Sequence, residues 1–183
     1  MKNKYRITDG AMYLGIYGAI LILNRQFGGI FSDCCNIIVS VIIIVCGLKN
    51  GLKNDLIIAA CLIAFSFLLG DIKTWIYTFI GAAAGMLICR SIEKGVLGTR
   101  LLFSSIAAYS ASELAVNFLI YPLLGMRVSS RIRAMTGLFE IFSIPHGFEL
   151  AIMFFILTIL VIAVAESVAI IYLAGILLKR IRI

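Results

Sequence analysis

The sequence predicts an all-α, polytopic integral membrane protein: a six-transmembrane-helix bundle forming a single membrane domain over residues 1–183. Composition is the first ground. Hydrophobic residues make up 62% of the chain and charged residues 14%, with a mean hydropathy of +1.11, against roughly 45–50% apolar content in a soluble domain. The second is that apolar residues fill whole segments instead of one helical face. The third is that runs such as Ile37 to Val45 lack the alternation of a barrel strand, which leaves helices as the way to satisfy the backbone in hydrocarbon.

The six segments run from Thr8 to Asn24, Phe27 to Leu48, Leu56 to Gly70, Thr74 to Cys89, Leu101 to Met126 and Phe148 to Leu178. A bilayer core about 30 Å thick asks for roughly 20 residues per helix. Segments one, three and four are short by that measure. Lys49, Lys53, Lys73 and Arg90 stand at segment ends, where long basic side chains reach the interface and extend the usable length. The last segment is long enough to tilt or to project into the cytoplasm.

Sixteen Lys and Arg residues give a net charge of +7, but they cluster at segment ends and not in the stripe a nucleic-acid binder carries. With a cytoplasmic N-terminus and six spans, the inside set is Lys2, Lys4, Arg6, Lys49, Lys53, Arg90, Lys94, Arg100, Lys179, Arg180 and Arg182. Arg25, Lys73, Arg127, Arg131 and Arg133 remain outside, so the positive-inside rule places both termini in the cytoplasm of a multi-pass cell-membrane protein. Basic residues lead straight into the first segment without a small-residue cleavage site, so that segment is expected to be retained.

Between segments, Thr8 or Asp9 is expected to cap the first helix, and Asn54 or Asp55 the third, after a tight hairpin through Gly47 and Gly51. The longest connection carries Met135, Leu138, Phe139, Ile141 and Phe142 at spacings that predict a short amphipathic helix at the interface. Three of the five cysteines, Cys46, Cys61 and Cys89, fall inside segments as small apolar fillers, and Cys34 and Cys35 are adjacent. With one His and no C-x-x-C pair, no cofactor or metal is expected. Nor is there a Walker loop, a zinc-protease H-E-x-x-H or a nucleophile elbow, so no enzyme chemistry is predicted.

The hairpin Cys46-Gly47-Leu48-Lys49-Asn50-Gly51-Leu52, the run ending Phe67-Leu68-Leu69-Gly70, and the stretch Gly81-Ala82-Ala83-Ala84-Gly85 ending at Arg90 together resemble the substrate-binding S components of energy-coupling factor transporters. With its opening Arg6-Ile7-Thr8-Asp9-Gly10-Ala11-Met12, the chain looks closest to the YybS-like membrane proteins, which are similar to S components. The resemblance covers about residues 5 to 120. It implies an S-component-like subunit that captures a vitamin or related small-molecule ligand at the outer face. Such a subunit docks on a coupling transmembrane subunit driven by two cytoplasmic ATPase subunits. S components dock through small residues on the first helix. The matching positions here are Ala11, Gly15 and Ala19, a partner-interface candidate in which the first Ala-x-x-x-Ala step has become Ala-x-x-x-Gly.

Small residues four apart let helix backbones approach closely, and they serve packing inside one bundle as well as docking. Gly81 and Gly85 form a second such face. Ionisable groups in the membrane are costly and need a partner or a wet cavity. Glu113 in segment five is followed by Asn117 and Tyr121 at i+4 and i+8, one polar stripe that suits either an outward-opening ligand pocket or a hydrogen-bond network between helices. Glu166 reads as an interhelical structural residue. Asn24, Trp75, Arg127 and His146 map to the outer rim and complete the candidate substrate-binding set, although Trp75 equally suits the aromatic belt and His146 a turn. Arg127 and its basic neighbours equally suit membrane lipid headgroups. A structural scaffold of envelope growth or division, resembling the six-span MreD-type shape proteins, is the alternative.

Overall fold

The computed structural model describes residues 2–28, 31–96, 98–125, 128–141 and 147–181. Among these there is helix and no strand. The helices are α1 Lys2–Gln26, α2 Ser32–Asn50, α3 Leu52–Leu69, α4 Ile72–Glu93, α5 Thr99–Ala115, a π-helical turn Val116–Ile120, α6 Tyr121–Leu123, α7 Val128–Ile141 and α8 Gly147–Ile181. Three stretches, Ile72–Glu93, Thr99–Leu123 and Gly147–Leu177, are long and apolar enough to cross a membrane, and Cys34–Asn50 is a shorter apolar helix. Each of the six apolar segments falls on helix over most of its length.

Three boundaries differ from expectation. α1 already runs from Lys2, because the residues before Thr8 include no Pro or Gly to interrupt it, so Thr8 and Asp9 lie inside the helix. α3 starts at Leu52 behind Gly51, whose φ of 78° suits a residue without a Cβ, so Asn54 and Asp55 fall inside its first turn and do not cap it. The helix of the fifth segment ends at Leu123, closed by a turn in which Gly125 has φ 78°, and Met126 lies outside the described residues. The amphipathic helix expected in the long connection is α7.

The chain divides into two compact units, residues 1–105 with 168–183, and residues 106–167. In the first unit α2 and α4 form the most extensive pair, with α3 packed on both and α1 on α2 and α3. Its core holds Tyr17 and Leu21 of α1, Val39, Ile42, Ile43 and Cys46 of α2, Ile58, Ala59 and Leu62 of α3, and Ala82 of α4. The α2–α4 approach explains the glycines of α4. A Cβ at Gly81 would stand 2.6 Å from the carbonyl oxygen of Asn36, and one at Gly85 would stand 2.9 Å from that of Ser40. Ser40 Oγ lies 2.9 Å from both Asn36 O and Gly81 O, sharing its proton across the two helices.

In the second unit, Phe118 of the π turn meets Phe155 of α8 edge-on, with ring centroids 6.2 Å apart. Phe139 of α7 meets Phe154 of α8 at 5.4 Å. α8 has 35 residues, about 50 Å at 1.5 Å per residue, which exceeds the hydrocarbon thickness of about 30 Å.

Candidate functional site

The polar stripe of the second unit is built around a proline. Pro122 has no N–H, and its ring crowds the carbonyl four residues earlier, that of Phe118, so a regular α-helix cannot pass through it. The backbone answers by widening directly before the proline: Val116–Ile120 forms a π turn, and the N–H of Tyr121 bonds the carbonyl of Val116. Such turns are rare, and many sit at functional sites. Glu113, Asn117 and Tyr121 are all buried around it. Asn117 Nδ2 donates to the Glu113 carbonyl at 2.8 Å and lies 3.4 Å from Glu113 Oε2. A carboxyl, a carboxamide and a phenol thus follow one another along a helix long and apolar enough to cross a membrane.

Asn24 and Trp75 lie in the first unit. Asn24 is buried, and its amide donates to Thr74 Oγ1 at 2.9 Å and to Ser32 Oγ at 3.3 Å, while its Oδ1 accepts from the Phe31 N–H at 2.8 Å. Ser32 Oγ and Thr74 Oγ1 are 2.9 Å apart. The chain of bonds continues as Thr78 Oγ1 donates to the Thr74 carbonyl at 2.8 Å and bonds the hydroxyl of buried Tyr17. Both N–H groups of Asn24 are therefore engaged inside the protein, pinning α1, α2 and α4 together. Asp71 caps α4, accepting from the Thr74 N–H at 2.6 Å. Beside it, Trp75 packs edge-on against Phe67 with centroids 6.0 Å apart. Both rings line a cavity of about 190 Å³ with Gly70, Asp71 and Ile72. Arg127 and His146 lie outside the described residues.

The two small-residue faces part company. Gly81 and Gly85 are consumed by the α2–α4 contact. Ala11, Gly15 and Ala19 are exposed, and a Cβ added at Gly15 would meet nothing within 4 Å. Glu166 and Ser167 are buried on α8, Ser167 bonding the Ala163 carbonyl at 2.7 Å.

One residue takes a place that its spacing did not signal. Asp55, expected as a cap, is fully buried with neither carboxylate oxygen hydrogen-bonded. It stands one residue before the third apolar segment. Burial, with the like charge of Glu93 adding to it, pushes its carboxyl up to about 7.

No protein-family model matches the chain, and none of the curated proteins or solved structures compared with it does.

Proposed function

We propose that the chain is a six-span subunit of the cell membrane, with both termini cytoplasmic, that binds a vitamin or related small molecule in the manner of S components of energy-coupling factor transporters. The observation that carries this reading is the buried run Glu113, Asn117 and Tyr121 at a π turn in a helix long enough to cross a membrane. Polar groups in such a position cost free energy and are kept where they serve binding or packing. The carboxyl, carboxamide and phenol of Glu113, Asn117 and Tyr121 can between them donate and accept hydrogen bonds, which suits a ligand with several polar groups. In this reading α7, of the same unit, lies at the membrane interface as a lid.

The open face of Ala11, Gly15 and Ala19 supports docking on a coupling membrane subunit. ATP hydrolysis then belongs to two cytoplasmic ATPase subunits and not to this chain. The test has two arms on the purified full chain. In the first, B vitamins, their phosphorylated forms, nucleobases and transition metals are screened by thermal shift, where a compound at a hundred times its dissociation constant stabilises by about 2.7 kcal/mol. In the second, the tagged chain is recovered from membranes with its partners. Glu113→Gln is expected to abolish the selected thermal shift and keep the partners, and Gly15→Leu to do the reverse. A flat screen, together with recovery free of any coupling subunit or ATPase, overturns this reading in favour of an envelope scaffold.

A further inference from the structure

Asp55 sits where three helices of the first unit meet. It belongs to the first turn of α3 and is fully buried, with both carboxylate oxygens lacking a hydrogen-bond partner. α2 contributes backbone there: a Cβ on Gly47 would lie 2.9 Å from Asp55 Oδ2 and 2.6 Å from the Sγ of Cys89 on α4. The carboxylate and a buried thiol therefore close on the same point of α2. Among the described side chains, the charges nearest this corner in sequence and space are Glu93 and Arg90 on α4, Lys49 on α2 and Lys53 on α3, all four exposed. Of these, Glu93 acts on Asp55, and it has the same sign.

A buried carboxylate without partners is strongly disfavoured as an anion. Its charge can be removed by a bound cation or by a proton. A cation needs several donors at once, and no group of three or more His, Cys, Asp or Glu side chains gathers among the described residues. The proton is the simpler occupant, since it also gives Asp55 an O–H donor beside the Cys89 sulfur.

We propose that Asp55 is a proton-binding site that locks the α2–α3–α4 corner when protonated and loosens it when ionised. Once ionised, the carboxylate needs water or an outward swing. Either route loosens the packing that Asp55 and Cys89 share against Gly47. The carboxyl, held up at about 7, exchanges its proton in the range a cytoplasm crosses. This inference is independent of the cargo and of the six-span reading.

The test uses the full chain in detergent, with Cys34, Cys35, Cys46 and Cys61 replaced by alanine so that Cys89 is the only thiol. Its alkylation by an uncharged maleimide is followed from pH 5.5 to 8.5, with and without Asp55→Asn. The amide is neutral at every pH, and the negative charge of an ionised Asp55 opposes thiolate formation nearby, so a rising ratio reports opening and not charge. The ratio is expected to stay near one below pH 6 and to rise about tenfold above pH 8. A ratio that stays flat overturns the proposal.

The infrared carbonyl band of a protonated carboxylic acid provides a second readout with the native cysteines, should the depleted variant not fold. In the difference between wild type and Asp55→Asn, which removes the contribution of the other buried carboxyls, that band is expected at pH 6 and is lost with a midpoint near 7. No difference between the two proteins, or a midpoint near 4, overturns the proposal. So does stabilisation of the wild type, but not of Asp55→Asn, by added Zn²⁺ or Mg²⁺, which makes the occupant a cation.

Discussion

Adding a single methyl group at Gly81 or at Gly15 should act in opposite directions, although both glycines begin or continue a small-residue face. In Gly81→Ala the new Cβ falls 2.6 Å from Asn36 O and 2.8 Å from Asn36 Oδ1. The first of these is backbone, so relief requires α2 as a whole to move away from α4, along the most extensive helix pair of the unit. Overpacking of this kind costs about 1–3 kcal/mol. The better helix propensity of alanine returns up to about 1 kcal/mol, leaving a net loss of up to about 2 kcal/mol. Gly85→Ala meets Ser40 O at 2.9 Å and Ile43 Cβ at 3.0 Å, so its loss should be smaller. In Gly15→Ala nothing stands within 4 Å, and the propensity gain is unopposed. Thermal unfolding in one detergent should rank the midpoints Gly15→Ala at or above wild type, then Gly85→Ala, then Gly81→Ala. A Gly81→Ala protein as stable as wild type would refute the close α2–α4 approach.

Three further outcomes follow from the polar residues. The folded state holds Asp55 at about 7 against an ordinary 3.8, so between those values it binds more protons than the unfolded chain, and stability should fall as pH rises through that window and level off above it. The loss is at most about 4 kcal/mol, roughly halved by water reaching the helix end, and unfolding midpoints from pH 4 to 8 should flatten in Asp55→Asn. Asn24→Ala removes the partner of Thr74, Ser32 and the Phe31 N–H and should cost about 1–3 kcal/mol; combined with Thr74→Val, its effect on the unfolding midpoint should be less than additive. Pro122→Ala restores an N–H and removes the cause of the π turn, so stability should hold or rise while the thermal-shift response governed by Glu113 and Tyr121 is lost; a variant that keeps the response separates the turn from binding.

The helical segments were legible because long apolar runs without strand alternation leave helix as the form that satisfies their backbone, and that is written in composition. Helix ends were less legible. Leu52 and Lys53 are as good in a first turn as in a loop, and only the left-handed backbone at Gly51 fixes where α3 begins. The fates of the two small-residue faces were equally hidden. Ala11, Gly15 and Ala19 share their spacing with Gly81 and Gly85, and spacing records that a partner can approach, not whether one is already present in the chain. Pro122 was a visible signal for the π turn, since a proline inside an apolar helix must disturb the ladder. Asp55 gave no such signal, because an acidic residue after a glycine turn is equally at home as a cap.

The buried polar residues differ in how their hydrogen-bonding capacity is met, and that difference sorts structure from function better than polarity alone. Asn24, Ser32, Thr74, Thr78 and Tyr17 satisfy one another across three helices, so their polarity is spent on holding those helices in register. Asn117 bonds back to Glu113 within one helix, at the place where Pro122 makes the backbone depart from the α form. Asp55 has neither kind of compensation on its oxygens. A buried carboxylate tolerates unmet acceptors only if its charge can be discharged, which makes the proton part of the structure proposed for that corner. Where the polar groups of the first unit answer one another they build the fold, and where the answer is a titrating proton the fold takes on a dependence on pH.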